Sequence, residues 1–183
     1  TDRWRIGGTY THSPTEFGQG TFDPNMIRYC AGGATTAQQQ ANLARGWCPT
    51  TTFRGLLVPV VGGQSLPRAP ETTGSLYLSY TAPLAGDWSI SARADGSYVS
   101  KAWALSWNLA TIPSRTLVNA RISVQKGEHL EIALWGRNIT DEEYITSAIF
   151  QPSFQNLVVL PNISQGEGAT FGLTGIYRFG TGR

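Results

Sequence analysis

The sequence predicts an all-β fold, an antiparallel up-and-down transmembrane β-barrel segment of about six strands of a larger barrel, with long extracellular loops. Three observations carry that expectation. Stretches of about ten residues alternate strictly between apolar and polar side chains, the connections between them alternate between short and long, and the composition is poor in charge and rich in aromatic residues.

The clearest strand is Trp88 to Lys101. Trp88, Ile90, Ala92, Ala94, Gly96 and Tyr98 fall on one face, and Ser89, Ser91, Arg93, Asp95 and Ser97 on the other. An apolar face of small residues with aromatics at its ends suits lipid, with the rings at the membrane interfaces. Arg3 to His12 repeats the pattern with Trp4, Ile6, Gly8 and Tyr10 outward, and Thr73 to Ala82 with Gly74, Leu76, Leu78 and Tyr80 outward. Thr116 to Gln125 sets Val118, Ala120, Ile122 and Val124 against Asn119, Arg121 and Ser123. His129 to Asn138 sets Leu130, Ile132 and Leu134 against Glu131, Ala133, Trp135 and Arg137. The sixth strand, Ala169 to Phe179, turns Phe171, Leu173, Tyr177 and Phe179 outward. In this register Arg93 and Arg121 lie on the polar face, which avoids a cost of about 2–4 kcal/mol for a basic residue meeting lipid at the midplane.

The connections set the orientation. Pro83 to Asp87 and Lys126 to Glu128 are short, whereas Ser13 to Glu71, Ala102 to Arg115 and Thr140 to Gly168 are longer. Short periplasmic turns and longer outside loops are the asymmetry of outer-membrane barrels, so the last strand is expected to run toward the periplasm. No run of 18 apolar residues occurs, which excludes a transmembrane helix. Within the first long connection, Thr35 to Arg45 combines a capping Thr with good helix formers and predicts a short surface helix. It lies between Cys30 and Cys48, whose spacing matches no zinc site; a disulfide in an oxidising compartment is expected, contributing roughly 3 kcal/mol.

Composition narrows function. Charged residues make up 14% against 11% aromatics, with six Trp, and the net charge of +2 comes from scattered basic residues, so no footprint for nucleic acid is present. His12 and His129 stand alone, and Asp141, Glu142 and Glu143 lack the spacing of a calcium loop, so no metal or cofactor is expected. No nucleophile elbow, phosphate loop or dinucleotide fingerprint occurs, and nothing points to an enzyme. Candidate ligand contacts are loop aromatics and a basic group: Arg28, Tyr29, Trp47, Trp103, Trp107, Phe150 and Phe154. Rings can stack on a ligand and Arg can pair with an anion, or the same residues can pack the loops over the barrel.

Leu134 to Tyr144, LWGRNITDEEY, is the strongest local signature. Asn138 and Thr140 can bond backbone where the strand ladder stops, Asp141 can turn the chain, and Tyr144 can cover the strand end. The stretch resembles the strand end near the C-terminus of TonB-dependent receptors. One outside loop and a last strand like Thr170 to Phe179 follow, and Leu66 to Glu71 resembles that family's entry into a descending strand. The resemblance runs from Leu66 to Phe179 and is weak from Thr1 to Ser65. Two features depart from the pattern: Thr174 stands where the assembly signal of such barrels, ending at Tyr177 and Phe179, usually has Gly, and Gly180 to Arg183 follow Phe179.

The resemblance implies that residues 1–183 are a C-terminal fragment of a receptor barrel in the bacterial outer membrane, with the plug domain absent. Such a receptor imports a ferric siderophore or another scarce nutrient. The partners it implies are outer-membrane lipid, the TonB complex acting through the plug, the small-molecule ligand, and the barrel assembly machinery. The alternatives are a passive outer-membrane porin and a soluble carbohydrate-binding β-sandwich using exposed Trp residues.

Overall fold

The structure, a computed structural model, describes residues 3–23, 36–46, 48–108, 110–152 and 159–180, with only the backbone described for 150–152 and 159–161. Six long strands form one antiparallel sheet: β1 (Trp4–His12), β4 (Thr72–Pro83), β5 (Trp88–Val99), β8 (Arg115–Lys126), β9 (Leu130–Arg137) and β12 (Thr170–Tyr177), hydrogen-bonded in that order. Each of these strands neighbours the next long strand along the chain, which is the meander the alternating connections predicted. Strands β1 and β12 are the two edges, so the sheet is an open arc.

Register carries the two-faced pattern across the whole sheet. Trp4, Tyr80, Ala92, Ile122, Leu134 and Leu173 are successive partners, one per strand, and make a continuous apolar row. The row beside it on the opposite face is Arg5, Ser79, Arg93, Arg121, Trp135 and Gly172. Large apolar side chains stay exposed on the first face, with Tyr10 and Leu173 each 74% accessible. A sheet in water buries such a face; here the strands themselves carry almost no buried core. Among the described residues the other sheets are two-stranded hairpins of the loops, and none supplies the second layer a sandwich needs.

The height of the apolar band fits a bilayer. About ten residue steps separate Trp88 from Tyr98 on β5; at roughly 3.3 Å per step and ~45° tilt they rise about 23 Å, close to the ~25 Å lipid-facing band of such barrels. Aromatic rings mark the ends. Tyr10 and Tyr98 stand at the loop side, while Trp88 and the edge-to-face pair of Tyr177 and Phe179, 4.8 Å apart, stand at the turn side.

Glycines on the polar face take aromatic rings from the neighbouring strand. A Cβ at Gly7 would lie 2.6 Å from Cε1 of Tyr77, and one at Gly172 would run into the Trp135 indole. Gly172→Ala is therefore expected to displace that indole and destabilise the barrel by about 1–3 kcal/mol, read as a lower urea midpoint, whereas Gly175→Ala, with open space around it, should stay near wild type.

The long connections are structured beyond what periodicity predicted. The helix, α1 (Thr36–Ala44), falls within the segment expected, and the hairpins β2 (Thr50–Phe53) with β3 (Leu56–Pro59), β6 (Ala102–Trp103) with β7 (Thr111–Ile112), and β10 (Ile145–Pro152) with β11 (Val159–Gln165) are additional. Arg54 and Gly55, with φ of 52° and 77°, close the first of these as a two-residue turn with both φ positive.

Candidate functional site: the polar wall and its loop collar

The inner face is a polar wall whose two central arginines are paired with carboxylates. Arg93 and Arg121 are direct cross-strand partners, a repulsive pairing that two carboxylates offset. Nε and one terminal nitrogen of Arg93 both donate to Oδ1 of Asp95, at 2.9 and 2.6 Å, and its guanidinium lies 4.3 Å from the Tyr77 ring centroid. Arg121 donates to Oε1 of Glu131 at 2.6 Å. Hydroxyl pairs Thr9 with Ser75 and Thr81 with Ser91 extend the polar lining between strands. Asp95, Asn119, Arg121, Trp135, Arg137 and Thr174 border a concavity of about 520 Å³ on this face. Trp135 Nε1 donates to Oγ1 of Thr174 at 3.0 Å. That bond gives a physical reason for Thr where the family pattern has Gly.

Strand β9 ends in a knot built by the motif. Asn138 is 5% exposed with a φ of 47°, a conformation Asn tolerates better than most residues. Its Nδ2 donates to the carbonyls of Glu142 and Glu167, its Oδ1 accepts from the Glu142 N–H, and its own N–H donates to Oδ1 of Asn119. Asp141, at φ 53°, accepts the Ala169 N–H at 2.8 Å, so the end of β9 is tied to the start of β12. Thr140 is exposed. Tyr144 fills the space a side chain at Gly166 would need, beneath Arg115 at 5.5 Å from its ring centroid. The motif acts here through backbone, fixing where the last outside loop begins and ends.

The loops interlock into a collar. Gln40 of α1 exchanges two hydrogen bonds with the Leu57 backbone, and Leu43 and Cys48 form a buried cluster with Leu57 and Trp107 around it. Cys48 is disulfide-bonded. Asn108, at φ 54°, bonds both the N–H and the carbonyl of Ser65, and Ser106 donates to Asp23. Ala104 and Ile112 pack with Ala148 of β10, which joins the last loop to the same body. Asn108→Ala is expected to loosen this joint, seen as several-fold faster proteolysis in the 49–71 segment with barrel stability unchanged.

Among the aromatics proposed for ligand contact, Trp107 packs into the collar and Trp103 pairs through backbone with Thr111 and Pro67. Phe150 lies on β10 opposite Pro161, its side chain outside the described residues. Arg28, Tyr29, Cys30, Trp47 and Phe154 also lie outside them. Among the described residues, Trp103 and Trp107 sit in separate parts of the loops. The structure adds Asn108, together with the contacts made by Tyr77 and Asn119, whose inward positions followed from alternation.

Comparison with known proteins agrees with this geometry. The family model for the TonB dependent receptor-like β-barrel matches residues 1–139. The chain belongs to the TonB-dependent receptor β-barrel family. This is a family of outer-membrane proteins of Gram-negative bacteria, and its match includes residues 1–65, where motif reading alone found little. Among solved structures, the ferric yersiniabactin uptake receptor FyuA from Yersinia pestis superimposes with a TM-score of 0.57 at 16% identity. The match covers 67% of this chain and 18% of that one, so this TonB-dependent barrel segment spans under a fifth of that receptor. No curated protein matches.

Proposed function

We propose that the chain is a C-terminal portion of the barrel wall of a TonB-dependent receptor that imports a scarce solute such as a ferric siderophore. The plug, the TonB-contacting segment and the remaining strands would come from the rest of the receptor. The observation that carries this reading is the open six-stranded arc with one face apolar through a bilayer's thickness and the other carrying the charged and hydroxyl side chains. An arc with two free edges needs further strands to close.

In this role the loop collar frames the outer mouth and the Arg-rich wall lines the lumen. Arg5, Arg93, Arg121 and Arg137 point inward by register, a lining that suits an anionic chelate or an acidic plug surface. Assembly into the membrane would use the barrel assembly machinery acting on β12. The test is uptake of radioiron-loaded siderophores by cells carrying the complete gene, with and without TonB. Accumulation that requires both supports the receptor; accumulation that persists without TonB makes the barrel a passive pore.

A further inference from the structure

A second concavity, of about 340 Å³, opens on the lipid-facing side of the loop rim. Thr72 and Ser100 line it on the same side of the sheet as Tyr98, the ring that closes the apolar band, and Glu71, Lys101 and Trp103 are among its other walls. Lys101 is exposed and makes no ion pair among the described residues; its ammonium lies 5.6 Å from the Trp103 ring centroid. Below, on the same face, a furrow of about 570 Å³ is floored by Ala92, Ala94, Ala120 and Gly136 and walled by larger apolar side chains. Gly96, between Ala94 and Tyr98 on β5, has open space where a side chain would stand, so the face is unobstructed between furrow and rim.

We propose that the rim concavity seats the phosphorylated sugar headgroup of an outer-leaflet glycolipid, with an acyl chain lying in the furrow. This rests on the membrane reading above. Lys101 supplies the cation for a phosphate, Trp103 and Tyr98 offer ring faces to the sugar, and the hydroxyls of Thr72 and Ser100 bond its polar rim. Glu71 accepts from sugar hydroxyls and repels a bare phosphate, which is why the charge pattern favours a glycolipid headgroup over the free anion.

The complete receptor, purified in detergent, is titrated with bis-phosphorylated lipid A and followed by native mass spectrometry. Lys101→Glu is expected to weaken binding about tenfold, removal of the lipid's phosphates to do the same, and Ala94→Trp, which fills the furrow, to weaken it several-fold. Millimolar inorganic phosphate should leave the bound lipid in place. Equal binding by wild type and Lys101→Glu, equal binding of the dephosphorylated lipid, or displacement by phosphate would each overturn the proposal. Failure of the underlying membrane reading shows separately, as a product soluble without detergent.

Discussion

Ile122→Arg is expected to remove most folded receptor from the outer membrane. Ile122 sits in the apolar row shared by all six strands, near the middle of the band, and is 45% exposed. In a protein surrounded by water, a substitution at so open a surface position usually changes stability by less than about 0.5 kcal/mol. Against the midplane of a bilayer the same change costs about 2–4 kcal/mol, because the guanidinium must shed its hydration or drag water into the hydrocarbon. Ser97→Arg places the same charge on the exposed polar face and should leave folding near wild type. Heat-modifiable electrophoresis of outer-membrane fractions reads both. Equal recovery of the two variants would mean that the apolar face does not meet lipid.

Asn138→Ala should be the most damaging change outside the band. It deletes three side-chain hydrogen bonds, strands the carbonyls of Glu142 and Glu167 and the N–H of Glu142, and puts Ala at a positive φ. At about 1 kcal/mol for each bond and a further ~1 for the backbone, the expected loss is roughly 3–4 kcal/mol. Asn138→Asp keeps the acceptor and loses the donor, so it should fall between alanine and wild type. Urea unfolding of the complete receptor refolded into vesicles provides the comparison; a midpoint unchanged by alanine would show that the knot contributes nothing to stability.

The wall was legible in the sequence for a simple reason. Each strand meets two media, so side chains two apart share one solvent, and alternation, glycine turns and aromatic ends report the membrane directly. Trp88 to Tyr98 shows this on its own. The Leu134 to Tyr144 motif was legible as a strand end, since Asn and Asp at a ladder's end compete for backbone partners. The loops were not legible in the same way. Trp103 and Trp107 look like free aromatic contacts in the chain order, yet Trp107 packs on the Leu43 and Cys48 cluster more than fifty residues away, and no local pattern encodes a contact of that separation. The β2 to β3 hairpin did leave a signal in Arg54-Gly55 between the threonine-rich Thr50–Phe53 and the apolar Leu56–Pro59, weaker because four-residue strands barely establish a period.

What the sequence by itself determined is therefore the wall: six strands, their faces, their order and their direction, because these depend on short-range periodicity and on turn length. The tertiary structure decided what happens at the wall's end and between its strands. It assigned Asp95 and Glu131 to the facing arginines, placed Tyr77 over Gly7 and Trp135 over Gly172, tied Asn138 to Glu142 and Glu167, and bound three connections into one collar. Those choices depend on which groups come within hydrogen-bonding or van der Waals reach once the strands are in register, and reach is a property of the fold.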